Sequence, residues 1–296
     1  MSYRDYSVAK GHIVDITGHG DFTTVQAAID AAVSGETIFL RPGIYTENLI
    51  LKAGIIFSTF SGGATIVGKA TFAANGGVTF TDIILQTNGD YFLEVSGSNP
   101  TGVIFENCSL LCSDHTGILL SSSNAGSQVN IFEGVFVLGN PAAAAWSLTG
   151  AGSMTLQNVV ATNPGLSSTI SNNSGGFLNI KNSNLPFLLG TTSTGGMLLD
   201  NCYLDCGALN APALTANGSG SNVTFFTFLG SGTASAITVG TGATLICALC
   251  SVDSSNANAI TGLGTLNAGI ITFTGSGNTI NTSTVNKLTT YGGTII

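Results

Sequence analysis

The stretch VIFENC, residues 103–108, is one copy of a short pattern that recurs along this chain and decides its fold. The other copies are VTFTDI (78–83), NIFEGV (130–135), MTLQNV (154–159), LNIKNS (178–183), MLLDNC (197–202), VTFFTF (223–228) and, more loosely, ATLICA (243–248). Their third positions are Phe80, Phe105, Phe132, Leu156, Ile180, Leu199, Phe225 and Leu245, and Ile271 continues the series. Recurrence at about 24 residues indicates a solenoid with one coil per repeat.

The fifth position of the pattern predicts a sharp bend in every coil. It is occupied by Asp82, Asn107, Gly134, Asn158, Asn182, Asn201 and Thr227. Asn, Asp and Gly are the residues that best tolerate a positive φ, so a column of them between two short strands indicates one repeated turn. The predicted fold is an all-β, right-handed parallel β-helix of roughly ten coils, stacked at about 4.8 Å.

A single segment near the N-terminus has helical periodicity. Its apolar residues, spaced by three and four, are Phe22, Val25, Ala28, Ile29, Ala32 and Val33. We expect a short capping α-helix at about residues 23–33, begun by Thr23 or Thr24 and ended by Gly35. The predicted organisation is an attachment segment at 1–19, one β-helix domain at 20–284, and a C-terminal tail at 285–296 that contributes to a trimer contact.

The segment GDFTTVQAAIDAAVSGETIFLRPGIYTENL, residues 20–49, resembles the start of the pectin methylesterase and pectate-lyase-like β-helix superfamily. The resemblance rests on Gly20 to Phe22, Val25 to Ala32, Ile38 to Leu40 and Gly43 to Glu47. It implies that these residues build the cap and first coils, with any chemistry further along the rod.

Later motifs of the family that resemble GTVDFIFG and LGRPW are missing from this sequence. Its only arginines are Arg4 and Arg41, and after Lys69 the only basic residues are Lys181 and Lys287. The sequence therefore predicts a protein that is not an enzyme and has no cofactor.

Composition restricts the classes of partner. The chain is 44% hydrophobic but only 7% charged, with a formal net charge of -8. Phosphate binding needs a basic footprint, so nucleic acid is excluded as a partner. With neither an apolar run of 18 residues nor a secretion signal, we expect no membrane insertion and synthesis in a cytoplasm.

Several polar residues are candidates for chemistry or for surface contacts. Asp200 and Asp205 have the spacing of a general acid/base pair, but without a basic partner a solvated surface role is favoured. Asp114 and His115 follow Cys112 in a loop, where a metal site with Asp90 or Glu94 is the alternative to an ordinary surface loop. Trp146 either stacks on a sugar or belongs to a subunit interface.

Two further features have simple structural interpretations. Glu106 and Glu133 are predicted at the fourth position of adjacent coils, as an exposed acidic pair that binds a cation weakly at most. Gly18-His19-Gly20 resembles a hydrolase motif but is interpreted as the turn before Asp21. No catalytic, cofactor-binding or metal residue is assigned.

The cysteines occur as three pairs: Cys108/Cys112, Cys202/Cys206 and Cys247/Cys250. In the predicted coils, no two come close enough for a disulfide, which bridges Cα atoms less than about 7 Å apart. Buried free thiols are the favoured interpretation. Cys247 and Cys250 are predicted to lie at a bend and are the one pair with suggestive metal-ligand spacing.

Three functions remain open from the sequence. The favoured one is a non-catalytic structural virion protein, similar in composition to β-helical bacteriophage tail fibres, spikes or capsid-decoration subunits. It would be displayed on the particle exterior as a homotrimer, in contact with other virion proteins or a host-surface glycan. The alternatives are a polysaccharide-active tailspike-type enzyme and a non-catalytic glycan-binding adhesin.

Overall fold

The computed structural model describes residues 11–60, 62–88, 91–99, 101–112, 117–138, 146–162, 169–172, 176–185, 188–191, 196–206, 212–217, 219–224, 227–276 and 279–287. These residues form one short helix and three ladders of parallel strands. Each coil passes through the first, second and third ladder in turn, and each strand pairs with its equivalents in the coils before and after it. This arrangement is a parallel β-helix.

The strands of each ladder follow one another along the rod. The first ladder contains Gly11–Val14, Thr37–Leu40, Ile55–Thr59, Gly76–Thr81, Thr101–Glu106, Gln128–Phe132, Ser153–Gln157, Phe177–Lys181, Met197–Asp200, Ser219–Thr224, the first halves of Thr244–Asp253 and Thr265–Phe273, and Thr284–Lys287. The second contains Gly43–Thr46, Ala64–Val67, Ile84–Gln86, Ser109–Cys112, Val135–Leu138, Val160–Thr162, Asn184–Leu185, Tyr203–Asp205, Thr227–Gly230 and the second halves of the same two long strands. The third has 11 strands, Leu49–Ile50, Ala70–Phe72, Leu93–Val95, Ile118–Leu120, Trp146–Leu148, Thr169–Asn172, Leu188–Thr191, Leu214–Ala216, Ile237–Val239, Asn258–Gly262 and Thr279–Asn281.

The core is a set of side-chain stacks inside the coils. Alternate residues of each strand point inward, and equivalent positions lie directly above one another. The rings of Phe57, Phe80 and Phe105, from three successive coils, stack with centroids 4.7 and 5.2 Å apart. The predicted fold class, an all-β, right-handed parallel β-helix with one short N-terminal helix, is confirmed.

The repeated bend joins the first ladder to the second. Its residues have φ between 48 and 60°, and they are Asp82, Asn107, Glu133, Asn158, Asn182 and Asn201. The predictions that Gly134 and Thr227 occupy the bend are wrong. Glu133 takes the left-handed conformation instead of its glycine neighbour, and Thr227 lies in a strand.

The corrections at the bend reflect a strand register that differs from the predicted one in four coils. Strand pairing aligns Phe105 with Ile131, Leu199 with Val223, and Val223 with Cys247. The inward third position is therefore Ile131 rather than Phe132. For the same reason, the predictions of Leu245 and Ile271 at this position are wrong, because Cys247 and Ala268 occupy it. Phe225 lies outside the described residues, and Val223 aligns with this position in its coil.

The last coils cross from the first ladder to the second by a different route. Thr244–Asp253 and Thr265–Phe273 are continuous strands of 10 and 9 residues, with two consecutive buried residues at the crossing. Small residues make this crossing sterically possible, because a Cβ on Gly269 would overlap the carbonyl oxygen of Ala248. Cys247 and Cys250, predicted at a bend, therefore flank the crossing between the two ladders, in a strand that contains no left-handed residue.

The helix spans Val25–Ala31 and packs over the first coil through Val25, Ala28 and Ile29, all buried. Ala32 is buried beyond its end, whereas Val33, predicted on the apolar face, is 62% exposed because the helix has already ended. Gly11–Val14 pairs with Thr37–Leu40, and Thr284–Lys287 pairs with Thr265–Phe273. The ladders thus reach from Gly11 to Lys287, and the three-part division of the chain stays a prediction.

Candidate functional site

Two residues of the 20–49 segment, Tyr45 and Glu47, hold the cap together. The carboxylate of Glu47 accepts hydrogen bonds from the backbone nitrogens of Val25 at 2.8 Å and Gln26 at 3.0 Å. The hydroxyl of Tyr45 is inside the rod and donates to the carbonyl oxygens of Arg41 at 2.9 Å and Val14 at 3.1 Å. Burial raises the pKa of Tyr45, and the nearby Asp15 carboxylate adds to the rise.

The C-terminal end of the helix is held by Lys52, which belongs to the same coil as Glu47. The ammonium group of Lys52 donates to the carbonyl oxygens of Ile29, Asp30 and Ala32 at 3.2, 2.8 and 2.9 Å. Carbonyl groups at the end of a helix lack partners within it, so a cation there supplies hydrogen bonds and favourable charge. Both helix ends are therefore fixed by residues of the second coil.

The Gly18-His19-Gly20 segment lies in a turn. Asp15 accepts hydrogen bonds from the Thr17 hydroxyl at 2.6 Å and the Thr17 nitrogen at 2.8 Å. These bonds, followed in importance by the charge of Arg41, lower the pKa of Asp15. His19 contacts the same hydroxyl through Nδ1 at 2.9 Å. The segment is thus part of the structured entry to the first coil.

Asp200 and Asp205 lie on two different ladders. Asp200 ends the strand Met197–Asp200 of the first ladder, in register with Lys181. Asp205 ends the strand Tyr203–Asp205 of the second ladder, where its Oδ2 accepts a hydrogen bond of 3.3 Å from the Tyr203 hydroxyl. The left-handed residue Asn201 separates the two strands, so the two carboxylates project from different faces of the coil.

The other predicted surface residues are only partly described. Trp146 begins a strand of the third ladder and is in register with Ile118 and Ile170. Asp114 and His115 lie outside the described residues, as does Asp90. Glu94, their other candidate partner, is in the third ladder and pairs with the Lys69 ammonium group at 2.9 Å.

Glu106 and Glu133 are not equivalent residues of adjacent coils. Strand pairing places Phe132 opposite Glu106, and Glu133 is the left-handed residue that follows. Both glutamates border a shallow depression together with Thr81, Asn107 and Phe132. The prediction of an acidic pair at one shared position is therefore wrong.

All six cysteines are buried and free. Cys108 and Cys202 follow equivalent bends, and their thiols donate to the carbonyl oxygens of Phe80 at 3.4 Å and Ile180 at 3.3 Å. Burial raises the pKa of these two thiols to about 11. It raises the pKa of Cys112 and Cys206 to about 12.

Cys247 and Cys250 interact inside the core. The pKa of the Cys247 thiol is raised by its hydrogen bond with Cys250 and then by burial. Within the described ranges, no three His, Cys, Asp or Glu side chains converge as a metal site would require. The cysteines therefore behave in the fold as small apolar residues.

Sequence patterns did not reveal one continuous feature of the exterior. One outward-facing position of the second ladder repeats in register along the rod, and we call this line of residues the outer column. It consists of Ile44, Thr65, Ile84, Ser109, Val135, Val160, Asn184, Tyr203, Phe228, Ser251 and Thr272, with Phe228 placed by its backbone pairing. Every residue is uncharged at neutral pH. The correct alternation over these short strands could have identified it in the sequence, but the predicted register was wrong in four coils.

A shallow groove runs beside part of this column. It is lined by Val160 and Tyr203 together with the amide side chains of Asn182, Asn184 and Asn201. The Asn201 amide donates to Asn182 Oδ1 at 3.0 Å, which links two coils at the bend. The groove therefore combines an exposed aromatic ring with fixed amides.

The helix of the described part of the chain is too short to cross a membrane. No protein-family model and no curated protein matches the sequence.

Three solved structures align with most of the chain at low sequence identity. PfbA, a surface adhesin of Streptococcus pneumoniae, is 10% identical with a TM-score of 0.47, over 89% of this chain and 86% of that one. Pectin methylesterase from carrot is 13% identical with a TM-score of 0.38, over 97% and 88%. The A-module of the mannuronan C-5 epimerase AlgE4 from Azotobacter vinelandii is 12% identical with a TM-score of 0.36, over 92% and 94%. The parallel strand ladders of this chain itself establish the β-helix, which is the fold expected from the resemblance of residues 20–49.

Proposed function

We propose that this chain is a non-catalytic structural rod that associates with copies of itself. In this proposal it is a homotrimeric subunit of a bacteriophage particle: a tail fibre, a spike or a capsid-decoration protein on the exterior of the virion. Its partners are other copies, neighbouring virion proteins and, at the host, a surface glycan. The rod supplies length and a protein-binding exterior.

The observation that carries the proposal is the uncharged outer column. A chain with a net charge of -8 has a continuous line of β-branched, hydroxyl and aromatic residues along one face. Such a face is easily covered by protein, because few charges need to be desolvated. Large exposed apolar patches on soluble proteins usually mark interaction surfaces.

The contacts of Tyr45 and Glu47, two residues of the 20–49 segment, support a structural role for the chain. Tyr45 and Glu47 hold the helix and the first coils through backbone groups, as described above. Asp200 and Asp205 project from different faces, whereas acid/base catalysis on a glycoside uses two carboxylates that flank one bond. The described polar groups therefore favour a rod over a hydrolase.

The assignment is tested on purified protein and on particles. Incubation with bacterial surface polysaccharides should release neither reducing ends nor unsaturated uronate, and antibody labelling in electron microscopy should locate the protein on virions. Catalytic release of sugar products would establish the polysaccharide-active alternative instead. Labelling confined to the bacterial envelope would establish an adhesin.

A second candidate, a non-catalytic glycan-binding protein, is favoured by the groove at Tyr203. Aromatic faces stack on sugar rings, and the amides of Asn182 and Asn201 are suited to bonding with hydroxyl groups. Binding of a neutral polysaccharide by the wild-type protein, lost on Tyr203→Ala, would support this function. Equal retention of the wild type and the Tyr203→Ala variant on the polysaccharide would show that the groove is not the glycan-binding site.

A further inference from the structure

We infer that the outer column is the surface by which one copy of this chain packs against another. The inference rests on the proposed function, because it identifies the face used in the self-association proposed above. The occupant is a second copy of the same chain, which lies alongside the first with its rod axis close to parallel.

The first support is continuity. Backbone pairing carries the column from Ile44 in the second coil to Thr272 near the end of the rod without a change of register. Adjacent rungs are about 4.8 Å apart, so the column extends for roughly 50 Å. A straight row of this length fits a surface with the same periodicity, and a second copy of the same β-helix provides one.

The second support is the exposure of large apolar side chains on this column. Ile44, Val135, Val160 and Tyr203 are 63, 45, 47 and 44% exposed. Val135 and Val160 are direct neighbours in register. Burying them against another protein would remove apolar surface from water, at about 25 cal/mol per Å².

The third support is the distribution of charge. The described charged residues nearest the bend, such as Glu106, Lys181 and Asp200, occupy the outer end of the first ladder. Glu94 lies on the third ladder and is paired with Lys69. On the second ladder itself, the described charged residues are Asp205 and Asp253, each two positions beyond the column in its strand. A contact centred on the column therefore desolvates few charges.

The available area approaches that of a stable contact. A face roughly 50 Å long and about 10 Å wide, or three residues of a strand, offers on the order of 500 Å² per copy. Stable interfaces bury about 800 Å² per partner, so this face supplies most of the required area. In a cyclic trimer it would meet a different surface of the neighbouring copy, because such contacts are head-to-tail.

The test places a carboxylate in the column and an identical one elsewhere. The variants are Val160→Glu and, at the other end of the column, Ile44→Glu. The matched control is Thr238→Glu, at an outward position of the third ladder between Thr215 and Thr261. Circular dichroism reports whether each variant keeps the β-fold, and sedimentation velocity over a range of concentrations reports its association state.

We expect the wild type and the Thr238→Glu control to associate. The two column variants should remain folded and dissociate, with association weakened about tenfold or more, because burying an unpaired carboxylate is costly. If Val160→Glu fails to fold, Ile44→Glu decides the result, and Val160→Asn provides a milder substitution at the first site.

Each other outcome overturns the inference in a distinguishable way. An associating wild type whose column variants associate equally well keeps the proposed function but assigns assembly to another face. If the Thr238→Glu control also dissociates, an added charge at any site prevents association. The assignment of the interface to the outer column then fails. A monomeric wild type contradicts self-association itself, and if it binds a neutral polysaccharide through Tyr203, the face belongs to a glycan.

Discussion

The carboxylate of Glu47 accepts a hydrogen bond of 2.8 Å from the backbone nitrogen of Val25, the first residue of the helix. The bond joins residues 22 positions apart in the sequence. The nominal N-cap bond, from Ala27 to the Thr24 hydroxyl, is longer at 3.4 Å. The second coil therefore contributes more than the local cap does to fixing the helix over the end of the rod.

Replacing Glu47 by Gln should destabilise the cap. The neutral amide has one acceptor oxygen in place of two and loses the charge that favours a helix N-terminus. We expect the free energy of unfolding to fall by about 1–3 kcal/mol. Denaturant unfolding followed by circular dichroism measures it. The exposed Glu106→Gln is the control, and an equal effect from both variants would show that the carboxylate contacts are unimportant.

Replacing Lys52 by Met should destabilise the other end of the helix. Three carbonyl oxygens, those of Ile29, Asp30 and Ala32, lose their ammonium donor while the aliphatic stem is retained. We expect the melting temperature to fall by about 2–4 °C. The control is Lys181→Met, on the outer end of the first ladder. A melting temperature unchanged by Lys52→Met, as in the control, would contradict the role assigned to this lysine.

Exchanging the residue types of two equivalent bend positions tests the effect of left-handed strain on stability. Glu133 and Asn158 both have a φ of 55° at equivalent positions of adjacent coils, but Asn tolerates this conformation better than Glu. We expect Glu133→Asn to raise the free energy of unfolding by up to about 1 kcal/mol and Asn158→Glu to lower it by a similar amount. Changes of the same sign in the two variants would show that left-handed strain does not govern the bend.

The buried thiols predict loss of stability at alkaline pH. Burial raises the pKa of Cys112 from 9.0 to about 12, so the unfolded chain ionises this thiol at a lower pH than the folded protein does. The thiol's contribution is therefore complete below about pH 9 and declines as the pH rises toward 12. Denaturant unfolding between about pH 8 and about pH 10.5 should give a shallower decline for Cys112→Ala than for the wild type. Identical slopes would indicate that this thiol is not protected from ionisation.

Much of the architecture could be predicted from the sequence, because the signals that specify it are local. Asn107, Asn158, Asn182 and Asn201 each combine a left-handed preference with an alternating apolar strand, and all four form the bend. The helical period at Val25 likewise identified the helix, although it spans 7 residues and is shorter than predicted at both ends. Local conformational preference and strand packing agree at these positions.

The predictions failed where neighbouring residues competed for one position. Gly134 is intrinsically better suited to a positive φ than Glu133, yet burying Val129 and Ile131 fixes the register and assigns the bend to the glutamate. Packing of whole strands outweighs the preference of one residue. The contacts of Glu47 and Lys52 with the helix could not be predicted, because no sequence pattern specifies pairings across more than 20 residues.

The native mass of the 296-residue chain in solution tests the central claim most directly. Light scattering on the wild type, across a range of concentrations at physiological salt, should give three times the chain mass of 29.9 kDa. A mass of 29.9 kDa that persists at the highest concentrations would contradict the account of a self-associating structural rod.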